Sequence, residues 1–135
     1  MWLRVFLQTT EVLIMKSLGM VEAEISEAII RFEKEYMGRG PLATKTYIID
    51  DMVIVRLKGV LTKAEYQLAG AADVTNGREL IKQVRCILLE KGRPLLEAVI
   101  EAITGEKVKS LHTDISTVTG ERIILFTLNS APELS

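Results

Sequence analysis

The second half of this chain repeats the pattern of the first. A helix-like stretch ends at Met37, Gly38 opens a turn, and residues 45–50 and 53–57 read as strands; a second stretch ends at Thr104, Gly105 follows, and residues 109–114 and 124–128 take the same places. Lys45 and Lys109 lie 64 positions apart, whereas Leu57 and Leu128 lie 71 apart, so the second hairpin carries seven more residues. A helix–hairpin unit cannot bury its apolar stripe alone, and two in tandem can share one sheet. The repeat therefore predicts an α+β fold: a two-layer sandwich of a four-stranded, mainly antiparallel sheet with helices on one face. The pattern leaves strand order open, and a circular rearrangement of the ferredoxin-like arrangement is one solution.

Residue spacing gives the elements. From 21 to 36, Ile25, Ala28, Ile29, Phe32 and Tyr36 recur at steps of three and four, which makes an amphipathic helix that Gly38 and Gly40-Pro41 stop near Met37. The Ile, Val and Tyr of 46–57 are divided by Asp50-Asp51, so a two-residue turn pairs Ile49 with Met52 and Tyr47 with Ile54. Val53, Val55 and Leu57 then share one face, and Met52, Ile54 and Arg56 share the other. Thr62-Lys63-Ala64-Glu65 has capping-box spacing ahead of a short helix, and Asn76-Gly77-Arg78-Glu79 repeats the device. The longest helix follows, with Leu80, Val84, Ile87 and Leu88 and then Leu95, Leu96, Val99, Ile100 and Ile103 as its buried stripe. Gly92-Arg93-Pro94 predicts a kink or break there. Strands at 108–116 and 121–128 are joined by Thr117-Val118-Thr119-Gly120, and the tail after Asn129 reads as frayed.

Composition narrows the function classes. With 135 residues, 48% of them hydrophobic, the chain can build one real core. Lys+Arg 17 against Asp+Glu 18 gives no bulk attraction to nucleic acid or an anionic membrane. A single cysteine, Cys86, rules out an internal disulfide framework and fits a reducing, cytoplasmic setting. The opening Met1-Trp2-Leu3-Arg4-Val5-Phe6-Leu7 resembles the start of a signal peptide, but Gln8-Thr9-Thr10-Glu11 interrupts it far short of the roughly 20 apolar residues of a spanning helix. Glu11-Val12 can be encoded by a ribosome-binding-like string shortly before the codon of Met15. Residues 1–14 thus read as an over-extended start or an apolar arm, and residues 15–135 as a single domain.

Chemistry-bearing residues are sparse. The strand around His112 puts His112, Asp114 and Ser116 on one face by its period of two, either as a site for proton handling or ligand binding by the only histidine or as a solvated face that pins register. One His and one Cys are too few for a zinc site, and Cys86, on a helix flank with no histidine beside it, reads as core. Gly38-Arg39-Gly40-Pro41 could offer Arg39 to a phosphate but lacks a P-loop ending and follows a helix, so a helix stop competes. Asp50-Asp51 reads as turn chemistry before it reads as a cation site. Arg56 stands in an apolar strand, either protecting an edge or meeting a partner. No catalytic set, cofactor or metal site emerges; the candidate contact residues are His112, Asp114, Ser116, Arg56 and Arg39.

Four ordered blocks carry a family resemblance. Gly38-Arg39-Gly40-Pro41, Asp50-Asp51-Met52-Val53-Ile54-Val55-Arg56-Leu57 with Gly59-Val60-Leu61-Thr62, Gly77-Arg78-Glu79-Leu80-Ile81, and His112-Thr113-Asp114-Ile115-Ser116-Thr117 with Gly120-Glu121 together resemble a bacterial family, once a domain of unknown function, named after the C component of a Na+-translocating membrane-potential-generating system. The resemblance spans about residues 20 to 129. It implies a soluble accessory or regulatory protein, non-enzymatic and without a membrane span, whose partner is an antiporter-like membrane component. It supplies no catalytic residue. A self-associating ligand-binding module unconnected with the membrane is the alternative, and an enzyme using His112 and Asp114 is the third reading. A homodimer is expected in addition, because one helical layer covers one sheet face and leaves Tyr47, Met52 and Ile54 for a partner.

Overall fold

A computed structural model describes residues 16–70 and 76–135; the expectations about residues 1–14 and the start at Met15 fall outside them. The elements run α1 (Leu18–Tyr36), β1 (Ala43–Ile49), β2 (Met52–Lys58), α2 (Lys63–Gly70), α3 (Gly77–Thr104), β3 (Val108–Ile115) and β4 (Arg122–Leu128). The four strands form one antiparallel sheet in the order β1-β2-β4-β3. That order results when the first strand of the ferredoxin-like β-α-β-β-α-β pattern is moved to the end of the chain.

The first hairpin pairs as its sequence predicts, Ile49 with Met52 and Tyr47 with Ile54, around Asp50 at φ 55°. Val53, Val55 and Leu57 from β2 and Ile124, Phe126 and Leu128 from β4 face the helices and are fully buried. The 71-residue offset therefore preserves face between β2 and β4. The 64-residue offset does not preserve it between β1 and β3, because the register shifts between Val108 and Ser110 and leaves Tyr47 exposed while Leu111 packs on the core. Of the seven added residues, four lie in the turn, six residues (116–121) against two, and three in the longer strands.

From the helices, Val21, Ile25, Ile29 and Phe32 of α1 and Ile81, Leu89, Leu96 and Ile100 of α3 close the core. Ser17 caps α1 by accepting from the Met20 N–H. Thr62 and Glu65 form the expected capping box: the Thr62 N–H donates to Glu65 Oε1 at 2.9 Å and the Glu65 N–H donates to Thr62 Oγ1 at 3.2 Å. Asn76, however, caps α3 with no side-chain bond.

α3 also departs from its predicted stripe. Leu96 and Ile100 are buried as predicted, but Leu80, Val84, Ile87 and Leu95 are exposed, at 43–52%, and so is Cys86; in the first half of the helix the buried line is one position over, through Ile81, Arg85 and Leu89 to Gly92. Nor does the helix break at Pro94. Pro94 faces solvent, where water can serve the carbonyl that the missing N–H abandons, and Arg93 reaches Glu97 at 2.8 Å and Glu90 at 3.6 Å across the gap. Gly92 has a packing role: a Cβ there would overlap the Phe32 ring of α1. The tail is anchored rather than frayed, since Asn129 N–H bonds to the Lys107 carbonyl, Ser135 N–H to that of Lys16, and Leu134 packs on the core.

Candidate functional site

With both long helices on one side, the other side of the sheet is open among the described residues. Its register forms three rows across β1, β2, β4 and β3: Ile49, Met52, Thr127 and Ser110; then Tyr47, Ile54, Leu125 and His112; then Lys45, Arg56, Ile123 and Asp114. Ile54 and Leu125 lie at the centre and are shielded only by their neighbours, while Tyr47 and Ile49 are 42% and 50% exposed. An apolar field of this kind, rimmed by charge, is unusual on a solvated sheet.

Of the five sequence-predicted contact residues, the fold brings three onto this face. His112 is exposed opposite Leu125, with Nε2 3.1 Å from Ser110 Oγ. Asp114 and Arg56 flank Ile123 in one row; Arg56 Nη2 donates to Glu121 Oε2 at 3.0 Å, and that bond holds the guanidinium above its usual range. Asp114 sits below the ordinary carboxylate range chiefly because its oxygen accepts the Ile115 N–H, with Lys82 Nζ adding a contact at 3.4 Å. Ser116 does not belong to the face. It ends the strand and shapes the turn, its Oγ accepting from the Thr119 N–H at 3.1 Å. Arg39 is remote as well, donating from Nη2 to the Gly59 carbonyl at 2.7 Å and tying the loop after α1 to the end of β2.

A second polar assembly, missed from sequence, lies behind the sheet. Arg85 of α3 donates to both oxygens of Glu65, at 2.9 and 2.6 Å, and to the Val60 carbonyl at 2.8 Å. Arg122 of β4 donates to Thr113 Oγ1 at 3.2 Å and, weakly, to the Arg85 carbonyl at 3.4 Å. Between the two guanidinium groups sits Glu33 of α1, 1% exposed and 3.9 Å from Arg85 and 3.8 Å from Arg122. Those separations exceed a hydrogen bond, so Glu33 Oε1 and both Nη1 atoms lack partners. Burial accordingly dominates, pushing the Glu33 carboxyl up against the pull of both arginines and the Arg122 guanidinium down. Glu65 is opposed by burial too, yet its bonds to Arg85 and Thr62 outweigh that and hold it low.

The periodicities contained this cluster. Arg122 alternates with Ile124, Phe126 and Leu128, Arg85 lies four residues from Ile81 and Leu89, and Glu33 four from Ile29. A charge on a core-facing position was the signal.

Beside the cluster, a half-open cavity of about 420 Å³ runs along edge strand β3, lined by Lys82, Arg85, Cys86, Thr113, Asp114 and Arg122 among others. The turn at its end is pinned: Tyr66 Oη donates to the Thr119 carbonyl at 3.0 Å, and the Val60 N–H bonds to that of Gly120. Val118 stands well out, 75% exposed. No helix among the described residues is long and apolar enough to cross a membrane.

Comparison with known proteins adds identity. The family model described as Na+-translocating membrane potential-generating system (MpsC) matches residues 17–130. An uncharacterized protein, YbcI of Bacillus subtilis (strain 168), is 51% identical over 113 residues, which is 84% of this chain and 89% of YbcI. No solved structure matches the chain.

Proposed function

The chain belongs to the MpsC family, and we propose that it serves a Na+-translocating, membrane potential-generating system as an accessory protein, acting through protein contact rather than turnover and working as a pair of copies joined at the open sheet face. The observation that carries this reading is the apolar field of Tyr47, Ile49, Met52, Ile54, Ile123 and Leu125, over which no described element packs. Exposing such a field costs about 25 cal/mol for each Å² left in water, and a second copy is the cover that every molecule of the protein has at hand. On this reading the ion path belongs to another component, because no described helix can span a membrane.

Membrane potential provides the test. In a bacterium deleted for this gene, the Na+-dependent part of the potential, followed with a voltage-sensitive dye, should fall; wild-type protein should restore it, and folded Ile54→Asp should not. An unchanged potential in the deletion strain would remove the accessory reading.

The cavity beside Arg85 and Arg122 favours a second reading, a module that binds a small polar ligand along β3. Wild-type function from an Arg122→Met protein that still folds would dispose of it.

A further inference from the structure

We infer that the second copy lies across the sheet on a two-fold axis parallel to the strands, so that Lys45 of each copy meets the partner's Asp114; this rests on reading the open face as a self-association surface. A two-fold interface must be complementary to itself. The open face has that property in charge. Its β1–β2 half carries Lys45, Arg56 and Lys58, and its β4–β3 half carries Asp114 and, where the turn enters β4, Glu121.

Two axes in the plane of the sheet stack one such face on another with the strands of the two sheets aligned. An axis across the strands sets each strand over its own copy in reverse, placing Lys45 over the partner's Ile49 and Arg56 over the partner's Met52. Arg56 meets apolar surface under either axis and keeps Glu121 of its own chain at 3.0 Å, but this axis leaves the unpaired Lys45 against apolar surface with no carboxylate opposite. An axis along the strands exchanges β1 with β3 and β2 with β4. Lys45 then faces the partner's Asp114, Ile54 the partner's Leu125, and Tyr47 the partner's His112. Charge therefore selects the second axis, and the strands stay aligned as in two-sheet sandwiches.

The two charged groups have capacity left for this contact. Lys45 makes no ion pair among the described residues and lies 5.8 Å from the centre of the Tyr47 ring. The Asp114 side chain is 80% exposed; its Oδ1 accepts the Ile115 N–H and lies 3.4 Å from Lys82 Nζ of α3, and its Oδ2 stays open. Four strands of about seven residues present a face of roughly 20 by 24 Å, about 480 Å² on each copy, which places the pair among weak, reversible interfaces, below the roughly 1,200 Å² total of standard ones.

Charge reversal tests the register. Sedimentation equilibrium should give Lys45→Glu and Asp114→Lys each a dimer dissociation constant raised about tenfold, since each sets like charges opposite twice per dimer. The double variant should return to within about threefold of wild type. Single variants that dimerise like wild type, or a double variant no better than the singles, would overturn this register while leaving self-association intact. A wild-type chain that stays monomeric to about 100 μM would instead remove the association on which the register depends. Circular dichroism on each variant separates lost pairing from lost fold.

Discussion

Glu33 stands between two arginines that come close without closing a hydrogen bond, and this gap governs how single residues matter here. Removing one partner from a buried ionic group leaves the others uncompensated, at about 3–5 kcal/mol. Glu33→Ala should thus cost at least about 3 kcal/mol in urea unfolding, whereas exposed His112→Ala should stay within about 0.5 kcal/mol. Glu33 and Glu65 also share Arg85 with opposite pH signatures. A carboxyl raised in the fold supports stability fully below its ordinary value of 4.5 and loses that support as pH rises through the raised value. A lowered carboxyl gives its support above 4.5 and loses it as pH falls through the lowered value. Stability measured against pH should therefore lose its decline above 4.5 in Glu33→Gln and part of its acid loss in Glu65→Gln. The core-facing spacing of Glu33, Arg85 and Arg122 was visible in the sequence. Their meeting was not, because it depends on α1, α3 and β4 converging from positions far apart in the chain.

Among the elements, α3 shows where local reading succeeds and where it gives way. Its existence, its end at the left-handed Gly105 and the burial of Leu96 and Ile100 follow from sequence, but the rotation of its first half does not, since residues one position apart on a long helix offer two apolar lines and only packing on α1 and the sheet chooses between them. Gly92 and Pro94 read alike as breakers, yet a Cβ at Gly92 would overlap the Phe32 ring, whereas Pro94 is exposed to solvent. Substitution separates them. In an ordinary helix Gly→Ala gains up to about 1 kcal/mol, but Gly92→Ala must displace the Phe32 ring and should lose about 1–3 kcal/mol. Pro94→Ala restores an N–H on an exposed turn and should gain about 2 kcal/mol, helix propensity outweighing the added freedom of the unfolded chain. Thermal unfolding reads both signs. The capping box at Thr62 was fully legible because its bonds lie within four residues, and its Glu65 then reaches on to Arg85, a contact that no local pattern reveals.

At the scale of the molecule, the tandem helix–hairpin repeat foretold a single antiparallel sheet with helices on one side, and the strand order is the rearranged ferredoxin-like one. Alternation along β2 likewise foretold which residues stay uncovered. What the sequence lacked was the register across β2 and β4, which sets Ile54 beside Leu125 and converts separate half-apolar strands into one field with opposite charges at its two sides. That field is the centre of the account, and sedimentation equilibrium of the full chain tests it most directly. At tens of micromolar the wild-type protein should show twice its 15.1 kDa chain mass, and Ile54→Asp, with unaltered circular dichroism, should show the mass of one chain. A wild-type mass of one chain throughout, or a folded Ile54→Asp protein that pairs as tightly as wild type, would contradict it.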